Sequence, residues 1–173
     1  VERSRGLGDV YKRQLLKLSN VSLNYTIDNN SINILKNISF EVDYKETISI
    51  VGESGSGKTS LIMLIGGLEK ISAGKIFFKE SEISNMTEDE ISEIRRKNIG
   101  IVFQSFYLIP NYTALENVSL SLEINKLDNA TQKAKEILDR FGLSNRFNNL
   151  PSQLSGGEQQ RVAIALSLIH ISE

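Results

Sequence analysis

The feature that most constrains this sequence is a glycine-rich segment, residues 52–59, which reads GESGSGKT. It matches the pattern G-x-x-x-x-G-K-[ST], in which glycines let the backbone turn tightly enough for successive N–H groups to face one anion. The β-branched run Thr47–Val51 before it predicts a buried strand, and the apolar positions after it predict a helix. The strand–loop–helix order predicts an α/β protein that binds a phosphorylated ligand.

Two side chains of this loop have distinct chemical tasks. Lys58 is expected to reach the β- and γ-phosphates of a nucleotide as a point charge, and the Thr59 hydroxyl is expected to ligate Mg²⁺. The alternative, a plain glycine turn, leaves the lysine–threonine pair unexplained. The predicted nucleotide-binding residues of the segment are Gly52, Glu53, Ser54, Gly55, Ser56, Gly57, Lys58, Thr59 and Ser60.

A second glycine-containing helix start lies at residues 154–161, which read LSGGEQQR. Its serine is a good N-cap, and its two glycines allow a ligand to approach the backbone closely. The first N–H groups of a helix attract anions, so this segment is a second candidate phosphate site. Two such helix starts in one chain are unusual.

The order and spacing of these segments resemble those of the ATP-binding-cassette (ABC) ATPases. LSGGEQQR is similar to the signature motif of that family, and Gln104, which ends the predicted strand IGIVFQ, matches its Q-loop. Tyr25 matches the aromatic position at which a ring stacks on adenine. The resemblance runs from about Leu16 to Ala165 and is greatest to the lipoprotein-release and macrolide-export branch.

The resemblance implies a P-loop NTPase core with an N-terminal antiparallel β subdomain, a helical signature subdomain at about residues 105–165, and a missing C-terminal part. It implies ATP and Mg²⁺ as ligands, with Thr59 and Gln104 near the metal. It also implies a homodimer or heterodimer of ATP-binding domains, in which the signature of one copy covers ATP on the other. The signature residues are Leu154, Ser155, Gly156, Gly157, Glu158 and Gln159.

A membrane partner is implied as well. The segment Phe106–Val118 resembles the surface that receives a helix of a transmembrane permease subunit, which would couple ATP binding and hydrolysis to export or lipoprotein release. The expected location is therefore peripheral, on the cytoplasmic face of the inner or plasma membrane. The net charge of −1 provides no basic excess for a phosphate backbone, so no nucleic-acid partner is expected.

Both ends of the sequence differ from its middle. Residues 1–14 (VERSRGLGDVYKRQ) and 166–173 (LSLIHISE) resemble translated sequencing adapters, so we expect non-native tails around a partial ATP-binding domain at 15–165. Family members continue after the signature into an apolar strand ending in aspartate and glutamate, the Walker B segment. The twelve residues after Arg161 contain no such strand. We therefore expect no catalytic residue in the chain, with Gln104 as a sensor only.

Three interpretations remain open at this point. The first is the nucleotide-binding subunit of a membrane exporter. The second is a soluble ABC ATPase of DNA repair or translation, and the third is an inactive fragment that binds nucleotide weakly. Residues 105–153 leave no space for the long insertions of repair ATPases. At individual positions, Tyr25 could be an ordinary strand aromatic, Gln104 a polar residue at a strand end, and Glu158 a first-turn helix acid.

Overall fold

The computed structural model describes residues 14–28, 30–124 and 126–169 of the 173-residue chain. The predicted tails lie largely outside these residues: 1–13 and 170–173 are not described, whereas Gln14 begins the first strand. The elements are β1 (Gln14–Ile27), β2 (Asn30–Asp43), α1 (Lys58–Ile65), β3 (Ala73–Phe78), β4 (Ser81–Glu82), α2 (Glu88–Asn98), α3 (Ala114–Ile124), α4 (Ala130–Arg140) and α5 (Gly156–Leu168). They form two compact units divided between Ser92 and Glu93.

The first unit is built on an antiparallel sheet with the strand order β2-β1-β3-β4. Leu18 of β1 pairs with Phe40 of β2, and Val21 pairs with Ile38. Leu18 and Val21 are both buried although they lie three positions apart, and the pairing of β1 with β2 has a register irregularity between them. The sequence predicts strands at 16–25 and 34–42 and an asparagine- and aspartate-rich turn at 26–31. Both strands form, but their pairing continues to Ile27 and Asn30, so the turn is shorter than predicted.

Two predicted strands do not form among the described residues. Neither Thr47–Val51 nor the apolar run at 99–103 is part of a sheet, and the Val51 side chain is 86% exposed. The strand prediction for both runs was therefore wrong, and Gln104 lies in a turn instead of ending a strand. A β-branched run favours a strand only where a neighbour accepts and donates its backbone hydrogen bonds, and no described strand pairs with either run.

The second unit is helical. Helices α3, α4 and α5 share one apolar core that includes Val118, Leu138 and Val162, each fully buried. The sequence predicts that residues 114–141 are mostly helical and that Gly142 follows the last turn. Both predictions are confirmed by α3 and α4 and by Gly142, whose φ of 69° is readily adopted by glycine. Helix α5 continues to Leu168, so it includes three residues of the predicted second tail.

Candidate nucleotide-binding site

Residues 52–57 form a loop that leads into α1, and this loop depends on glycine at two positions. Gly55 and Gly57 have φ values of 82° and 85°, which lie in the left-handed region. A Cβ on Gly57 would lie 2.9 Å from Leu35 Cδ2 and 3.1 Å from the Ile34 carbonyl oxygen. Gly57 is also the N-cap of α1, and it has no side chain with which to cap the helix. The first-turn N–H groups of α1 therefore remain available to a ligand or to water.

The ammonium group of Lys58 is held within this loop. Its Nζ donates to the carbonyl oxygens of Gly52 at 2.9 Å and Glu53 at 2.5 Å, and to Ser56 Oγ at 3.4 Å. All three acceptors are uncharged, so these contacts orient the cation without neutralising it. The loop thus combines a positive charge with the start of a helix, an arrangement suited to a phosphate group.

The remaining loop residues are accessible to a ligand. Thr59, the second residue of α1, is exposed, so its hydroxyl can be reached from solvent. The other exposed or half-buried members of the predicted set are Gly52, Glu53, Ser54, Gly55, Ser56 and Ser60.

Tyr25 lies at the same end of the first unit as this loop. It pairs with Ile32 across the hairpin, and Ile34, two residues further along β2, is the residue whose carbonyl approaches Gly57. The Tyr25 hydroxyl donates to Glu69 Oε2 at 3.0 Å. This hydrogen bond, assisted by partial desolvation, raises the pKa of Tyr25 above its ordinary value. Glu69 is not predictable as a partner of Tyr25, since nothing local links two residues so far apart in the chain.

The second predicted site begins at Ser155, the N-cap of α5. Its Oγ accepts a hydrogen bond from the Glu158 backbone N–H at 3.3 Å, and Glu158 Oε2 accepts one from the Ser155 N–H at 2.7 Å. This reciprocal pair is a capping box. Gln159 Nε2 donates to the carbonyl oxygen of the buried Leu154. The predicted signature residues therefore start a helix whose first turn has its own side-chain cap.

Arg146 adds a charged contact to this helix start. Its Nε donates to Glu158 Oε1 at 2.7 Å. The Arg146 contact, together with the Ser155 N–H, lowers the pKa of Glu158 to about 2. Such a carboxylate remains ionised at neutral pH and is a poor proton acceptor. Arg146 is not predictable as a partner of Glu158 because it lies outside the motif, in the short 3₁₀ turn Ser144–Arg146.

Gln104 lies in the second unit, in an exposed turn. The residues just before it, 99–103, line an apolar groove together with Leu166 and Ala163 of α5. The predicted site residues are thus divided: Tyr25 and the phosphate loop belong to the first unit, and Gln104 and the signature residues belong to the second.

The predicted partner surface, Phe106–Val118, is organised around Asn117. This amide is 4% exposed; its Nδ2 donates to the carbonyl oxygens of Ile109, Tyr112 and Thr113, and its Oδ1 accepts from the Ile109 N–H. Outside this network, Tyr107 is 72% exposed. The described part of the chain contains no helix that is both long and apolar enough to cross a membrane.

A lysine held in a left-handed glycine loop ahead of a helix defines the class of P-loop nucleotide-binding proteins. The sequence model of the ABC transporter family (ABC_tran) matches residues 35–173, and the chain belongs to this family.

Relatives of known identity agree with this assignment. The lipoprotein-releasing system ATP-binding protein LolD of Myxococcus xanthus is 40% identical over 157 residues, covering 90% of this chain and 70% of the relative. LolD of Cytophaga hutchinsonii is 42% identical over 160 residues, covering 91% and 71%. The chain thus spans about 70% of the length of these relatives.

Solved structures confirm the fold. The ATP-binding cassette MJ0796, in a dimeric post-hydrolysis state bound to ADP and Pi, superposes with a TM-score of 0.82 at 40% identity, covering 90% of this chain and 70% of that chain. A second dimeric structure of MJ0796, described as a bacterial ABC transporter cassette, gives the same values. The predicted P-loop NTPase fold of the cassette type and the predicted family are both confirmed.

Proposed function

We propose that this chain is the ATP-binding subunit of an ABC transporter of the lipoprotein-releasing type. The observation that carries the proposal is the Lys58 ammonium, held by three uncharged acceptors at the uncapped start of α1. The LolD relatives, at about 40% identity over nine tenths of the chain, support the transporter type.

ATP and Mg²⁺ are the proposed ligands of the first unit, and the residues present fit them. Lys58 and the first-turn N–H groups of α1 would hold the phosphates, and Tyr25 would stack on adenine. The described residues contain no group of three acidic, histidine or cysteine side chains able to hold a metal ion. We therefore propose that phosphate oxygens and the Thr59 hydroxyl hold Mg²⁺, which supplies charge neutralisation on the phosphates.

A second copy or a related cassette is the proposed partner at the nucleotide. The signature residues of this chain would cover ATP bound to that partner; they are Leu154, Ser155, Gly156, Gly157, Glu158 and Gln159. Gln104 would lie near the Mg²⁺ that its own chain binds. The two dimeric cassette structures support this arrangement. The capping box supports it too, because Ser155 and Glu158 fix the start of α5 before any nucleotide arrives.

A transmembrane permease subunit is the second proposed partner. We propose that it contacts Phe106–Val118, where Asn117 holds the loop backbone and Tyr107 is left largely exposed. This ATP-binding chain would then lie peripherally on the cytoplasmic face of the membrane. Lipoprotein release is preferred to export of another cargo because the LolD relatives are named for it.

We propose that this chain hydrolyses ATP poorly by itself. Glu158 cannot serve as the base that activates water, because Arg146 and Ser155 keep its pKa at about 2. Glu53 lies in the phosphate loop, where its carbonyl accepts from Lys58.

Calorimetric titration of the chain with MgATP tests the proposal. Binding should be measurable and should be weakened by roughly ten- to a hundredfold by Lys58→Ala, whereas Lys135→Ala, which removes an exposed lysine from α4, should leave it unchanged. Binding that is as strong in Lys58→Ala as in the unchanged chain would remove the phosphate-loop assignment. Steady-state hydrolysis above that of the Lys58→Ala variant would contradict the proposed lack of water activation.

A further inference from the structure

The segment after α1 returns to the edge of β1 close to Tyr25. The Ser72 N–H donates to the Ser22 carbonyl oxygen at 2.8 Å, and the Asn24 N–H donates to Ser72 Oγ at 2.9 Å. Ser72 is thereby tied to β1 through both its backbone and its side chain. The chain leading to Ser72, which includes Glu69, is therefore held beside the strand that carries Tyr25.

The Tyr25–Glu69 hydrogen bond fixes the far end of the tyrosine ring. Tyr25 is 37% exposed, so packing alone does not immobilise its side chain. Its backbone is held by pairing with Ile32, and its hydroxyl is held 3.0 Å from Glu69 Oε2. The same contact raises the pKa of Tyr25 above its ordinary value. A ring fixed at both ends loses little further freedom when a flat ligand stacks on it.

We propose that Glu69 is a positioning residue that pre-orients the Tyr25 ring for the base of the nucleotide, an inference that rests on the adenine-stacking role proposed for Tyr25. Glu69 acts through the tyrosine hydroxyl and does not itself contact the ligand.

Helix α1 gives this contact a wider consequence. It begins at Lys58, at the end of the phosphate loop, and ends at Ile65, four residues before Glu69. One short helix and the four residues after it therefore connect Lys58, proposed to hold the phosphates, to Glu69, proposed to orient the tyrosine ring.

The test compares two ligands that share the phosphates and differ in the base. Binding of MgATP and of magnesium tripolyphosphate is measured by calorimetry for the unchanged chain and for Glu69→Ala, Glu69→Gln and Tyr25→Phe. Tyr25→Phe keeps the ring but removes the donor, and Glu69→Gln keeps an oxygen acceptor. Glu80→Ala is the matched control, since it removes an exposed acid from the β3–β4 turn.

The variants are expected to weaken binding only of the ligand that carries a base. Glu69→Ala and Tyr25→Phe should each weaken MgATP binding about three- to tenfold, the scale of ordering one side chain, and should leave tripolyphosphate binding unchanged. The double variant should be no weaker than either single one, because both changes remove the same hydrogen bond. Glu69→Gln and Glu80→Ala should remain within about twofold of the unchanged chain.

Tyr25→Ala separates failure of this inference from failure of the proposed function. If Tyr25→Ala weakens MgATP binding and Glu69→Ala does not, the inference is overturned and the stacking role stands. Equal loss of MgATP and tripolyphosphate binding in Glu69→Ala would also overturn it, because Glu69 would then act on the phosphate loop. If Tyr25→Ala has no effect, or the unchanged chain does not bind MgATP, the proposed function fails and the inference fails with it.

Discussion

In α1 the residue before the first helical turn is Gly57, which has a left-handed backbone and no side chain. In α5 the corresponding residue is Ser155, whose hydroxyl accepts from one first-turn N–H while the Glu158 carboxylate accepts from the Ser155 N–H. The charges near the two helix starts differ as well. A lysine ammonium lies at the first, and a carboxylate paired with Arg146 lies at the second.

These differences assign different tasks to two segments that look alike in sequence. Uncapped N–H groups beside a positive charge bind an anion strongly, whereas a capping box has already used part of the donor capacity of its helix start. The α5 start is instead fixed in shape without a ligand. We infer that the isolated chain holds phosphate at 52–60 and that the signature contributes only when a second cassette brings nucleotide to it.

The largest expected effect on ligand binding tests this division directly. Lys58→Ala should weaken binding of magnesium tripolyphosphate by roughly ten- to a hundredfold, because it removes charge-assisted contacts worth about 1.5–3 kcal/mol. Ser155→Ala should change that binding by less than about twofold. Calorimetric titration of the three proteins measures both effects. Similar losses in the two variants would show that the helix starts share one phosphate in the isolated chain.

The two glycines at these helix starts should respond oppositely to alanine. Gly57→Ala should lower the free energy of unfolding by about 2–4 kcal/mol, because the left-handed backbone and the contacts with Leu35 and Ile34 both oppose a Cβ. A Cβ on Gly156 meets nothing within 4 Å, so Gly156→Ala should be neutral or stabilising by less than about 1 kcal/mol. Urea denaturation measures both; a neutral Gly57→Ala would contradict the strain at this turn.

Local patterns in the sequence predict both of the helix starts compared above. The glycine and lysine spacing at 52–59 located the loop, and the Ser155–Glu158 spacing belongs to a capping box. Interactions of this kind extend over three or four residues, so their signal lies within one stretch of chain. The hairpin and the glycine that follows α4, Gly142, were predictable for the same reason.

Contacts between distant residues were not predictable in this way. Glu69 binds Tyr25 across 44 positions, and Arg146 binds Glu158 across 12, so no periodic pattern connects the partners. The strand predicted at Thr47–Val51 failed because strand formation requires a pairing partner elsewhere in the chain. The β-branched residues of this run favour an extended backbone, but they do not show whether another strand is available to pair with it.

Removing the cap of α5 should have a moderate effect on stability. Ser155→Ala should lower the free energy of unfolding by about 1 kcal/mol, since it deletes the acceptor for the Glu158 N–H. Ser152→Ala, at an exposed position in the preceding 3₁₀ turn, is the matched control and should have no measurable effect. Urea denaturation distinguishes the two variants. Equal stability of both would mean that the capping box does not hold the start of α5.

The smallest expected effect is a pH dependence confined to the α5 start. The pKa of Glu158 is lowered from 4.5 to about 2 in the folded chain, so its ionised form stabilises the fold above pH 4.5, and this contribution is lost as the pH falls toward 2. The stability difference between the unchanged chain and Glu158→Gln should therefore be constant near neutrality and shrink across that range. In an Arg146→Ala background the difference should be smaller at neutral pH, because the main cause of the lowered pKa is gone. Denaturation at a series of pH values measures both differences. If the stability difference between the unchanged chain and Glu158→Gln were the same at pH 2 as at neutral pH, the carboxylate would contribute through packing and not through its charge.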